Sequence, residues 1–301
     1  MTGWMVWYGH LSTSRRLRLT GMLLLSGSMV WLLTLLVLPF LVVAVMAFAG
    51  RSQYGEVRWA FTLENMWRLL GFGILEWSAD YLLILARSVW VALVTTAVAV
   101  LLSYPLAFFI AARKPATRYV LLGLIIVPFC TNLVVRTYAW MLILGPGMPL
   151  TWLAQHLALV PPGQALYPGA FAVYLGMVGT FLPFAILPLY TNVERLDWSI
   201  VEAAQDLYAS RTRIFMHALL PQTLPGLTAG IILTFIPAMG AFVVPDLLGG
   251  AKYMLVGNLI QQQFGPSRDW PFGSAVSLAL MILTLAGLFL LGRWGKEVRP
   301  A

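Results

Sequence analysis

Charged side chains inside long apolar runs are costly to keep and therefore mark candidate sites. Two stand out. Arg136 lies deep in one such run, and Asp246 closes another directly after Pro245. A carboxylate there would draw a cation or cap a loop, whereas a guanidinium would meet an anionic group, form a structural pair or cap helix-end carbonyls. Tyr138 and Trp140 beside Arg136, with Phe242 and Tyr174, add ring faces that attract ammonium groups. Covalent chemistry is not indicated, because the runs contain no cluster of His, Asp or nucleophile. His10, His156 and His217 are scattered and Cys130 is the single cysteine, so no disulfide, thiolate cluster or metal site is expected. A G-x-x-x-x-G-K-S/T loop is also missing, so the chain has no such cradle for nucleotide phosphates.

A polar stretch, residues 202–225 (EAAQDLYASRTRIFMHALLPQTLP), stands between apolar runs. Leu196, Ile200, Ala203, Ala204 and Leu207 recur at three- and four-residue spacing, with Asp197, Ser199, Gln205 and Asp206 largely off that stripe. This spacing predicts a short amphipathic helix. Ser199 and Glu202 satisfy the spacing of a capping box, and Asp197 is an equally good cap.

The elements that must position these residues are membrane helices. Hydrophobic residues make up 60% of the chain, charged residues 10%, and mean hydropathy is +0.84, far outside the soluble range. A helix needs about 20 apolar residues to cross a bilayer, and six runs qualify, near 22–48, 83–111, 119–144, 169–190, 225–245 and 271–292. Lys and Arg collect in cytoplasmic loops. Arg15, Arg16, Arg18, Arg113, Lys114, Arg118, Arg195, Arg211, Arg213, Arg293, Lys296 and Arg299 fall on one side, against Arg51, Arg58, Arg68, Lys252 and Arg268 on the other. Both termini and the Glu202 loop are thereby predicted to be cytoplasmic. The net charge of +8 follows from this asymmetry and suits anionic lipid heads; nucleic acid is not implied. A cleaved signal peptide ending near Ala47-Phe-Ala49 is the competing reading of the N-terminus, but the apolar run there is about 27 residues, too long for a signal core.

Outside the membrane, residues 51–80 carry Trp59, Phe61, Trp67, Leu69, Leu70 and Trp77, too apolar for a free linker. A short interfacial helix starting near Thr62 as N-cap is predicted. The 145–168 loop is rich in Gly and Pro and is predicted to have broken backbone. Prolines 105, 128, 183, 188, 237 and 245 interrupt the runs and mark candidate pathway positions.

The stretch from Glu202 resembles the cytoplasmic signature loop of permease subunits in ATP-binding-cassette importers: E-A-A, three residues, Gly, nine residues, Ile, one residue, Leu-Pro. Glu202, Ala203 and Ala204 open it and Leu220-Pro221 close it, while Tyr208 replaces the glycine and Ala218 the isoleucine. Glycine serves where φ must be positive, and a bulky Tyr resists that conformation. Further strings resemble the polyamine (spermidine/putrescine) permease subfamily of type I importers: Val127-Pro128-Phe129, Arg136-Thr137-Tyr138, Leu182-Pro183-Phe184, Pro237-Ala238-Met239-Gly240, Pro245 to Lys252, Gly257-Asn258 and Arg268 to Gly273.

The resemblance implies an all-α membrane protein of six transmembrane helices with the type I importer permease fold. It would be a single domain over 1–301, with a cytoplasmic tail at about 1–21 and an ATPase-coupling loop at about 191–224. Glu202, Ala203, Ala204, Asp206, Tyr208, Ala209, Ser210 and Pro221 would serve coupling, and Asp246, Tyr138, Trp140 and Arg136 the substrate pathway. The subunit would be non-catalytic, with ATP and Mg²⁺ held by a separate ATPase. Its implied partners are a second related permease, two ATPase copies, an extracytoplasmic binding protein and membrane lipid, and its implied place is the bacterial inner membrane. An amino-acid-like, iron or anionic substrate is the alternative, favoured by Arg136. An ion-gradient secondary transporter would want paired intramembrane carboxylates or His, which this chain almost lacks.

Overall fold

The computed structural model describes residues 15–52, 56–72, 77–250 and 253–297, with side chains except at 15–25, 291 and 294–297. Most of the expected N-terminal tail, His10, Lys252 and Arg299 lie outside the described residues. In chain order the elements are α1 (Arg15–Ala47), a small antiparallel hairpin of β1 (Gly50–Arg51) and β2 (Val57–Arg58), α2 (Glu64–Leu69), α3 (Asp80–Ala111), α4 (Pro115–Cys130), α5 (Leu133–Ile143) and α6 (Pro149–His156). There follow α7 (Ala170–Glu194), α8 (Trp198–Asp206), α9 (Arg211–Ile214), a π-helical turn (Phe215–Leu219), α10 (Leu220–Met239), α11 (Val243–Gly249), α12 (Val256–Phe264) and α13 (Trp270–Glu297).

α1, α3, α7, the continuous stretch Arg211–Met239 and α13 are each long and apolar enough to span a membrane, and α4 with α5, a bent pair, makes a sixth if the two are counted as one span. Two expected runs are corrected. The run at 119–144 is not one helix: α4 and α5 meet at 97°. The reason is local, because the Thr131 hydroxyl donates to the Pro128 carbonyl at 2.6 Å and the Asn132 side chain accepts from Val134 N at 2.8 Å. These short polar side chains satisfy the helix ends on each side of the break. The run at 225–245 likewise ends at Met239, and the chain restarts as α11 with Pro245 in its first turn, the one part of a helix where a missing N–H costs little.

At the centre α3, α7 and α10 pack on one another. The buried side of α3 is mostly small residues, Ser88, Ala92, Thr95, Thr96, Ala99, Ser103 and Ala107, with Val91 and Ile110 as its larger members. Small residues let helix backbones approach in a bilayer, where packing has to do the work that water does elsewhere. α11 lies across α7 for the same reason, since a Cβ on Gly176 would sit 2.4 Å from Leu248. α1 packs against α13 and leaves residues such as Trp31, Leu35 and Leu41 exposed.

The helix ends meet in the sets that alternating spans require. On one side Asp269, 1% exposed, accepts from Arg68 at 2.7 Å and from Arg51 at 3.2 Å, and its other oxygen accepts from Phe272 N at the start of α13. Burial works against the charge of Arg68, but the hydrogen bonds to Asp269 and Tyr81 prevail and raise its pKa. Asp269, within the Arg268–Gly273 string, thus pins Arg51 and Arg68 to the start of α13. On the opposite side Arg118, near the start of α4, pairs with Glu194 at the end of α7, and Gln222 of α10 accepts from Asp197 N.

The short helix expected in the 51–80 segment is present, but its N-cap is corrected: α2 is six residues long with Leu63, not Thr62, at the N-cap position and no side-chain cap, while the Thr62 hydroxyl accepts from Glu64 N at 3.2 Å just ahead of it. Between 145 and 168 the backbone is broken apart from the eight-residue α6.

Candidate functional site

The Glu202 loop folds back on itself. Asp197 caps α8, accepting from both the backbone N–H (3.0 Å) and the hydroxyl (2.7 Å) of Ser199, which together hold its carboxyl below the ordinary pKa. That makes Ser199 the second helical residue, so no Ser199–Glu202 capping box forms. Glu202 is exposed.

α8 ends in a Schellman motif, with Ala209 N donating to Ala204 O at 3.1 Å and Tyr208 N to Gln205 O at 2.9 Å. The motif needs a left-handed residue at the position filled by Tyr208, and Tyr208 has φ +54. The turn that the signature glycine would make is therefore made by a tyrosine, against the expectation from sterics. The two hydrogen bonds of the motif hold the residue there, and its side chain, 95% exposed, meets no crowding within the chain. Ser210 then caps α9, accepting from Arg213 N.

The buried face of α8 differs from the predicted stripe. Val201 is buried with Ile214 and Ala218, with Ala204, Ala209 and Leu219 against them, whereas Ile200, Ala203 and Leu207 face out. Ala218, in the isoleucine position, is small enough to sit under α8. The π-helical turn beside it closes with Leu220 N donating to Phe215 O. It falls one turn before Pro221, whose ring would otherwise meet the carbonyl four residues back. A second apolar side of α8, made of Ile200, Ala203 and Leu207 (82% exposed), is left open, with Glu202 and Asp206 exposed beside it; Trp198 is exposed on the other side of the helix.

The second region lies where the two helix breaks meet. A cavity of about 420 Å³ is lined by Phe129 and Thr131 at the α4–α5 break, Arg136 of α5, Thr180, Phe181 and Phe184 of α7, and Pro237 to Val244 around the α10–α11 break. Gly257 and Asn258 fix the second break. The Asn258 amide donates to Phe242 O at 3.0 Å, and a Cβ on Gly257 would lie 2.7 Å from the carbonyl oxygens of Gly240 and Ala241.

Of the four expected pathway residues, Arg136 alone lines this cavity. Trp140 packs on α7, its ring 3.2 Å from where a Cβ of Gly179 would stand. Tyr138 is exposed on α5, and Asp246 is exposed in the first turn of α11, within one turn of the lining residues Phe242 and Val243. Sequence reasoning missed Phe129, Phe181 and Phe184. Pro128 and Pro183, both among the interrupting prolines, are the signal that could have found them. Among the described residues no three His, Cys, Asp or Glu side chains come together.

Membrane helices broken around an aromatic cavity, with one apolar-faced helix set outside them, define a transport subunit. Residues 103–299 match the family described as the inner membrane component of binding-protein-dependent transport systems, and the chain belongs to that family. It is 39% identical over 264 residues to the spermidine/putrescine transport system permease protein PotB of Escherichia coli (strain K12), covering 88% of this chain and 93% of that one. The PotB of Haemophilus influenzae is 36% identical over 266 residues, covering 88% and 91%. Among solved structures, a bacterial transporter that imports the acidic polysaccharide alginate superposes with a TM-score of 0.67 at 14% identity, over 95% of this chain and 97% of that one. At such identity the superposition speaks for the fold alone. The chain is a multi-pass inner-membrane permease with the fold of type I importers.

Replacing Tyr208 by Gly keeps the Schellman turn and removes the cost of a left-handed L-residue, about 1 kcal/mol. Thermal unfolding of the purified permease should shift upward, with uptake retained. Loss of uptake at unchanged fold would instead assign the exposed ring its own contact with a partner.

Proposed function

We propose that this chain forms half of the substrate pathway for a polyamine or a related small organic cation. It works in a complex with a second related permease, two ATPase subunits and an extracytoplasmic binding protein. The observation that carries this reading is the 39% identity to a spermidine/putrescine permease over nearly the whole chain. The identity agrees with the polar strings at 245–252 and 268–273.

The chain acts as one domain, with both termini and the α8 loop on the cytoplasmic side, as the Lys and Arg asymmetry supports. ATP and Mg²⁺ belong to the ATPase. The open face of α8 is the contact through which its closure turns the permease between two rigid-body states. Glu202, Ala203, Asp206 and Leu207 stand on or beside that face, while Ala204, Tyr208, Ala209, Ser210 and Pro221 shape the turn and the helix behind it.

Arg136, the one charge lining the cavity, favours a second reading in which the substrate carries a carboxylate. Asp246 separates the two. Asp246→Asn keeps the shape and removes a charge worth about 1–4 kcal/mol against a cation at 4 Å. In the assembled complex, polyamine uptake should fall several-fold while basal ATPase rate and complex yield hold. A carboxylate-bearing or otherwise anionic substrate would be taken up equally well or better by the Asn variant.

A further inference from the structure

The chemistry of the cavity contains a contradiction with a cationic cargo, and Arg136 is its source. Its Nε is buried without a hydrogen-bond partner, and no carboxylate pairs with it among the described residues. Its guanidinium carbon instead stands 5.9 Å from the centroid of the Phe129 ring. Phe184 meets Phe129 edge to face at 5.0 Å, and Phe181 lies 6.2 Å from Phe184. Three rings and one cation therefore share a cavity of about 420 Å³, the composition of an aromatic cage for an ammonium or guanidinium group.

We infer that Phe129, Phe181 and Phe184 form an ammonium subsite, and that Arg136 is its tethered occupant, displaced by a substrate amine during transport. The inference rests on the polyamine reading. A guanidinium 5.9 Å from one ring, Phe129, with its Nε buried and unpaired, is a weak occupant, because that N–H gives up water without gaining a carboxylate. An amine entering the cavity meets the same ring faces. The side chain, on α5 next to the α4–α5 break, can swing out of the cavity, since the residue is only partly buried. Both cations cannot fill the cage together, so Arg136 competes with substrate and keeps the subsite filled when none is present. Aromatic faces bind either cation without a fixed charge to trap it, which suits a site that must also release.

The test uses the complete transporter in proteoliposomes with its binding protein, with spermidine as probe. Arg136→Gln empties the cage of its tethered cation, so the spermidine concentration for half-maximal uptake should fall about threefold to tenfold, in line with cation–π attraction at a desolvated ring. Phe129→Leu should raise it by a similar factor, and should cancel the gain when combined with Arg136→Gln. Free guanidinium should inhibit uptake by Arg136→Ala and leave the wild type nearly unaffected. If Arg136→Gln loses uptake while Arg136→Lys keeps it, the positive charge is required, as in a pair with a partner subunit's carboxylate, and the inference is overturned with the polyamine reading intact. If guanidinium acts equally on wild type and Arg136→Ala, the tethered-occupant role is overturned in the same way. If the wild-type complex ignores polyamines and takes up a carboxylate-bearing compound, the reading and the inference fall together.

Discussion

Glu202→Ala is expected to cut ATP-driven uptake at least about tenfold, the equivalent of 1.4 kcal/mol, and to loosen the ATPase during purification, with membrane insertion unchanged. Glu202 is exposed and takes no part in capping α8, because Asp197 does that. Its removal therefore leaves the helix intact and changes only what the helix offers outward. A charge lost from an interface commonly costs about 2–5 kcal/mol when its partner is left buried. Glu202→Gln should not restore uptake, since no capping box exists for Gln to rebuild. Leu207→Glu, placing charge in the open apolar stripe, should release the ATPase more completely. Normal uptake in both Glu202→Ala and Leu207→Glu would remove α8 from the coupling contact.

The second large effect belongs to Gly257. An added methyl would stand 2.7 Å from two backbone carbonyl oxygens, at Gly240 and Ala241, which no rotamer change can relieve. Gly257→Ala should therefore push α12 off the α10–α11 break, at a cost of about 1–3 kcal/mol for overpacking. The reshaped cavity should lose most uptake. Thermal unfolding of the complex separates this from a docking defect, because the coupling loop lies on the opposite side of the chain. A variant with normal stability and uptake would show that the break is not held at this point.

Much of the architecture could be read from the chain because membrane helices announce themselves by length and apolarity. The runs at 83–111 and 169–190 correspond to α3 and α7 within a few residues. The breaks were harder to read. Thr131 and Asn132 interrupt an apolar run with only two polar residues, too few to register in hydropathy, yet their side chains satisfy both helix ends and allow the 97° bend. α8 misled for a different reason. Its three- and four-residue spacing marks an apolar stripe without saying which partner covers it, and here Leu196 and Ala204 are covered along with Val201 while Ile200, Ala203 and Leu207 are left open. Tyr208 was legible as an anomaly, since a left-handed turn at a tyrosine is rare, but only the structure places its ring in the open. Only Pro128 and Pro183 hint at the aromatic cavity in the sequence, because Phe129, Phe181 and Phe184 come from two helices and meet only in the fold.

Ligand-stimulated ATPase activity of the assembled complex, measured against a panel of amines, amino acids and inorganic anions, bears most directly on the proposed function. Spermidine or putrescine, presented by the binding protein, should raise hydrolysis several-fold while sulfate and amino acids leave it at the basal rate. Stimulation by an anion or a carboxylate-bearing compound, with no response to the amines, would contradict it.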